Sequence, residues 1–343
     1  MLKEISKYLV GLALATALFW WVLKGIDLAL LGESLGKASI AGLALAGVLN
    51  ISHNIFRVLR WKVLLRPVKA RIPFLPMFSA VIVGYMTTWV IPGRLGELVR
   101  PALLTAREKV PLGPCLGSVL ADRLMDMMAI FVLFAIGTFA VTFTGAAAEY
   151  AAEIQVTAVL LLLAAITLLS SLVLISMKRG LVESFLEGRG RLVGWIGRTL
   201  ISVSMGTAAF RDLRLFVPIV FHSLMCWLMI NLSTWVGLRA VGVDISLMAV
   251  FVLQPILAVG VAIPTPGGAG GYHAMMKAGL VVLFGVGQVL AVGAGILLHL
   301  VSVVPVIVLG TLLFWIEKYS MADIRSGIRE VKNLGAEPMK EMP

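Results

Sequence analysis

The stretch AIPTPGGAGGYH, residues 262–273, lies between two of the most apolar segments of the chain, VLQPILAVGV at 252–261 and LVVLFGVG at 280–287. Pro264, Pro266, Gly267, Gly268, Gly270 and Gly271 crowd into it. Neither residue type suits a helix interior, and hydrocarbon offers no water to a broken backbone. An interruption at that place needs a reason, and the composition around it frames one.

Hydrophobic residues make up 60 % of the 343 and charged residues 14 %, with a mean hydropathy of +1.00. A soluble chain carries about a quarter charged residues. Apolar runs recur at the length of roughly 20 residues that crosses a bilayer core. The first run, 5–23, holds its Ala-x-Ala triplets inside the apolar stretch rather than after it, so it reads as an uncleaved span. Cys115 and Cys226 both fall in or beside apolar segments and imply neither a disulfide framework nor a metal site.

The net charge of +11 is unevenly placed. Of 29 Lys and Arg, 24 fall in residues 1–7, 57–71, 94–109, 178–214 and 317–343. That asymmetry is the positive-inside signal; it suits an anionic inner leaflet and argues against nucleic acid. Both termini are then cytoplasmic, in a cell inner membrane.

With the basic segments inside, spans are expected at 5–23, 39–59, 115–142, 154–177, 215–237 and 289–316. The run 73–91 heads outward, yet Arg100, Arg107 and Lys109 soon follow and belong inside. The chain therefore turns at Pro92 and returns. By the same parity the run from 246 turns at the 262–273 motif and returns to the outside. Each turn breaks at Ile-Pro: VIPGRLGELVRP at 90–101, with Pro92, Gly93 and Gly96, and AIPTPGGAGGYH at 262–273, with Pro264, Pro266, Gly267 and Gly268. Two interrupted segments of opposite orientation in matching places of two halves form the pattern of an inverted-repeat transporter. The alternative is eight or more full spans joined by ordinary Pro/Gly surface loops. Residues 1–317 are read as one transmembrane domain, 178–214 as a cytoplasmic connection with an interfacial helix around 192–210, and 318–343 as a basic tail.

Ionisable groups inside spans cost roughly 2.5–3.5 kcal/mol each on insertion scales, so they call for a partner or a function. Asn50, His53, Asn54, Arg57 and Trp61 share one helical face, which reads equally as a polar helix–helix seam or a cavity lining. Arg57, Arg60 and Trp61 fall near the expected cytoplasmic boundary and read as interfacial anchors. Asp122, Arg123 and Asp126 also share a face, so Arg123 can pair within its own helix. Two acids around one base leave negative charge that needs another cation, with Arg94 and Arg100 as candidates. His273 follows the second break, where the ordinary reading is a hydrogen-bonded structural histidine.

Enzyme chemistry is poorly supplied. No HExxH, Cys/His cluster or GxSxG elbow occurs, and GGAGG lacks the Lys-Ser/Thr of a phosphate loop. No metal or cofactor is expected.

RVLRWKVLL at 57–65, IPGRLGELVRP at 91–101, DRLMD at 122–126 and IPTPGGAGG at 263–271 occur here in one order and spacing. With them the chain resembles the transmembrane region of lysylphosphatidylglycerol synthase/flippase proteins over essentially its whole length. The resemblance implies a flippase-like domain that moves or binds lipids with charged head groups. By the same correspondence Arg57, Arg60, Pro92, Gly96, Glu97, Arg100, Asp122, Arg123, Asp126, Pro264, Gly267 and Gly268 are its motif positions. The family's synthases add a soluble aminoacyl-transferase domain, so synthase activity is not expected of this chain. The family's Pro-Gly-Gly motif is usually followed by a glutamate where this chain has His273.

The reading is an all-α polytopic membrane protein with about six full spans and two oppositely oriented re-entrant helical hairpins. Its expected function is a lipid flippase or lipid-transport protein, not an enzyme. Arg94, Glu97, Arg100, Asp122, Arg123, Asp126 and His273 would line its head-group site. Its partners would be anionic or polyprenyl-phosphate-linked lipids, with the oligomeric state open, a dimer included. The alternative is a membrane enzyme or accessory subunit of lipid, hopanoid or glycolipid biosynthesis using Glu97, Asp122 or Asp126.

Overall fold

Ser39, Asp212 and Ser246 each accept a hydrogen bond from a first-turn backbone N–H and start a helix where the apolar runs begin. Such caps satisfy donors that a helix end leaves open. The computed structural model describes residues 2–90, 96–143, 145–178, 208–263 and 265–320. Every regular element among them is helical. Six helices are long: α1 (Leu2–Leu23), α3 (Ile40–Leu64), α6 (Leu112–Ala140), α7 (Ala151–Met177), α8 (Leu213–Ala240) and α11 (Gln288–Ile316). Between them lie α2 (Leu28–Gly36) and two pairs of shorter helices, α4 (Phe74–Val90) with α5 (Gly96–Glu108), and α9 (Leu247–Ala262) with α10 (Gly271–Ala278).

Four helices are long and apolar enough to cross a membrane, and a fifth crossing arises if α1 and α2, bent by 89°, count as one. α2 was not expected from the sequence, which reads 24–38 as a plain connection. Asp27 creates it by accepting from the N–H groups of Ala29 and Leu30. The expected interfacial helix around 192–210 lies almost wholly outside the described residues, as do Pro92, Gly93, Arg94 and Pro264.

Large apolar side chains such as Ile40, Leu163, Val308 and Leu312 stand exposed on the outer faces of the long helices. Against lipid they bring helices no hydrophobic drive to associate, so cohesion rests on close packing at small residues. The glycines carry this. A Cβ on Gly42 of α3 would lie 2.7 Å from the Cβ of Ala240 at the end of α8. At the opposite end of α3, Arg60 donates to Ser223 near the start of α8. The two helices therefore run antiparallel.

Each short pair is a helical hairpin closed by two facing glycines. Gly84 of α4 abuts Gly96 and Arg100 of α5, while Gly260 of α9 abuts Gly271 and Met275 of α10. The spacing matches, since Arg100 and Met275 each follow their glycine by four residues. Each hairpin then packs on the last long helix of the other half. Gly310 of α11 lies against Met86 of α4, and Gly137 of α6 lies against Met248 and Phe251 of α9. Eight of the helices thus form two units of long helix, hairpin and long helix, with their first helices antiparallel, and α1, α2 and α7 lie outside them.

The hairpin ends meet. Gly267 and Gly268 both take left-handed backbone angles, φ +62° and +65°, and a Cβ on Gly268 would come within 2.9 Å of the Trp89 ring at the end of α4. The segment that breaks the second apolar run is therefore held against the first hairpin and is buried at Thr265, Gly268 and Gly270.

Candidate functional site

Arg57 and Arg60 lie one turn apart on α3, and Asp122 and Asp126 one turn apart on α6, so the two helices present two bases to two acids. Arg60 is fully buried. Its Nε donates to Asp122 Oδ1 at 2.7 Å, its Nη2 to Asp126 Oδ1 at 2.8 Å, and its Nη1 to Ser223 Oγ at 3.1 Å. Arg57 donates to Asp126 Oδ2 at 2.8 Å. From α5, Arg100 donates to Asp122 Oδ2 at 2.8 Å. Trp227 of α8 donates its indole N–H to Asp126 at 3.0 Å.

Arg123 pairs with Asp126 at 3.2 Å, as its three-residue spacing predicted. It also donates to the Tyr85 hydroxyl of α4 at 2.8 Å, and its Nε lies 4.0 Å from Glu97, the nearest carboxylate at the start of α5. Arg57 lies over the Tyr85 ring and Arg100 over the Trp61 ring, at 5.3 and 5.1 Å from the centroids, which favours a buried cation further.

Two expectations are corrected here. Arg57, Arg60 and Trp61 are not interfacial anchors, because all three are buried, with Trp61 donating to Ser118 at 2.8 Å. Arg100, one of the two cations expected to meet the acids, does pair with Asp122, but the charge balance is reversed. Among the described residues four arginines face two aspartates, a surplus of two positive charges, and one remains after counting half-exposed Glu97. The acids do not lack cations; the arginines outnumber the acids.

The surplus has an address. Arg57 Nε, Arg100 Nε, Arg100 Nη1 and Arg123 Nε are buried without a hydrogen-bond partner among the described residues. Arg100 and Arg123 line a cavity of about 10 Å³ with Glu97, Tyr85, Thr88 and Gly96, where the first hairpin meets α6; that is room for about one water. Unmet buried donors cost free energy, and a charged group costs more. An anionic oxygen at this place would relieve that cost.

In the rest of the expected polar stripe, Asn50 reaches Ser302 of α11 at 3.5 Å, and Asn54 donates to the Ile51 carbonyl of its own helix. His53 is half-buried, with no partner at Nδ1. His273 does not join the arginine cluster. Its Nδ1 accepts from the N–H of Gly270 at 3.2 Å, and its ring stands among Phe19, Tyr272 and His299. Tyr85, Ser223 and Trp227 were missed by sequence reasoning. The available signal was an amphipathic ring, or a hydroxyl, deep in an apolar run, where its polar atom must find a partner.

Paired halves with mutually packed hairpins, and an arginine-rich centre buried among long apolar helices, define a multi-pass helical membrane protein. The chain belongs to the family described as the lysylphosphatidylglycerol synthase TM region, which matches residues 8–310. That family places it in membrane-lipid biology. No curated protein matches the chain.

Proposed function

We propose that this protein is a lipid flippase or lipid-transport protein in which Arg100 and Arg123, beside the first hairpin, meet an anionic oxygen of a lipid head group. The observation that carries the reading is the unmatched positive charge, with its unpaired N–H groups, at a cavity closed by Gly96. Arginine's planar fork suits phosphate oxygens, and donors that are already ordered lose little freedom on binding. Glu97 limits the surplus, so a head group binds and still leaves. The two hairpins are read as re-entrant from opposite membrane faces between six full spans, an inverted repeat with the site beside the first hairpin. Cytoplasmic termini in an inner membrane follow from the basic segments.

A non-enzymatic role is supported by the state of two of the three acids that the alternative would use. Asp122 and Asp126 are each engaged by arginines, which leaves neither free to act as a base. In proteoliposomes with fluorescent anionic lipid, leaflet exchange is expected above that of empty liposomes. It is expected to fall in Arg100→Lys and Arg123→Lys, which keep charge but lose the fork. Exchange no faster than in empty liposomes would sink the transport reading for the lipid tested. Equal exchange in all variants would remove these residues from it.

A further inference from the structure

A strongly basic surface lies at the end of the molecule where α3 finishes and α8 begins. A groove of about 630 Å³ there is lined by Lys62, Arg66 and Arg71, with His222 at its wall. A second groove of about 570 Å³ shares Arg66 and adds Arg211 and Arg214. The one acid lining either groove is Asp212, whose carboxylate is engaged in capping α8.

Other basic residues in this part of the chain have acidic partners: Lys69 pairs with Glu108 at 2.9 Å and Arg107 with Glu317 at 3.0 Å. Lys62, Arg66, Arg71 and Arg214 have no carboxylate within ion-pair distance among the described residues. Among the described residues the groove is therefore a concave surface with several cations that lack an ion-pair partner and little opposing charge.

Its surroundings say what kind of anion fits. Leu59, Val63 and Ile72 supply apolar wall beneath the cations. A soluble anion has no use for that wall, whereas the first part of an amphiphile's chain can lie against it. We propose that this groove binds a lipid whose head group carries a terminal phosphate, with the start of its acyl chain against Leu59, Val63 and Ile72. The inference does not depend on whether the protein moves lipid. The site is one residue from the buried cluster, since His222 of the groove adjoins Ser223, which accepts from Arg60.

The test is lipid retention by the full chain, purified in neutral detergent and read by native mass spectrometry. Phosphatidate adducts are expected to persist where phosphatidylcholine adducts do not. Each basic side chain near a phosphate contributes on the order of a fivefold change, so Lys62→Gln/Arg66→Gln/Arg71→Gln should retain phosphatidate at least about tenfold less well. The single Arg66→Gln variant, at an exposed side chain common to both grooves, reads a smaller loss without risk to the fold. Lys69→Gln, a neighbour already paired, should change nothing. The groove variants are compared in the wild-type and in the Arg100→Lys background, and a loss of the same size in both separates the groove from the buried cluster. Retention by Arg66→Gln and the triple variant equal to wild type overturns the proposal. So does displacement of phosphatidate by inorganic phosphate, which would make the groove a site for a soluble anion.

Discussion

Arg60 and Asp122 meet at 2.7 Å across the interface of α3 and α6, with no solvent reaching either side chain. The contact joins the first long helix of one half to its last. It is also the hinge of the charge network, because Arg60 reaches Asp126 as well. Breaking a buried pair by removing one partner costs more than the pair itself contributes, since the other charge is stranded.

Asp122→Ala is therefore expected to lose about 3–5 kcal/mol, seen as low folded yield and a depressed melting temperature in detergent. It strands Arg60 and Arg100 together. Asp126→Ala strands Arg57, Arg60 and Arg123, so neutralising Arg123 alone should not restore it. Full recovery of Asp126→Ala by Arg123→Met would contradict the network described.

The hairpins rest on glycine pairs rather than on sequence length. Gly96→Ala and Gly271→Ala should each abolish or sharply reduce folded protein, because the added methyl meets the backbone of the facing glycine. Overpacking of this kind costs about 1–3 kcal/mol or more. Gly36→Ala, where nothing lies within 4 Å of the new methyl, is the matched control and should express as wild type.

His273 serves its hairpin as an acceptor. His273→Asn, which keeps an acceptor, should melt above His273→Leu by the equivalent of about 1 kcal/mol, the scale of a helix cap. Identical melting in the two variants would mean that the contact with Gly270 contributes nothing.

Labelling addresses membrane depth. Cys115 and Cys226 are buried and free, and replacing both gives a background for single cysteines at Thr88 and Ala269, with Lys37 as an exposed control. An impermeant maleimide should modify the control and leave the two hairpin positions slow. Equally fast labelling at all three would place the breaks at the surface and remove the re-entrant reading.

Much of the fold was legible because apolar length and Pro/Gly breaks are local signals. The run expected at 289–316 is the helix Gln288–Ile316, and that expected at 246–263 is Leu247–Ala262. The site was legible in part. Asp122, Arg123 and Asp126 announce themselves by standing in an apolar run, and the Arg123–Asp126 pairing follows from helical spacing. The role of Arg60 does not follow, because its depth depends on the packing of α3 against α6 and α8, which no local pattern records. Counting charge within one helix gave two acids around one base; only the assembled helices bring in three more arginines. The missed α2 shows the opposite failure, since Asp27 is a local capping signal hidden between a bend and a short run.

The matched hairpins are built alike but filled differently. Where the first has Arg100 behind its glycine contact, the second has Met275. Electrically the molecule is therefore lopsided, with a cluster of arginines in one half and, in the other, a single buried lysine, Lys277, beside an aromatic and imidazole cluster. A membrane voltage does work only on charge that moves through it, about 2.3 kcal/mol per elementary charge per 100 mV. Any rocking of the two halves would thus be felt by the field unequally, and two scaffolds of one design would respond to the same voltage as unequal partners.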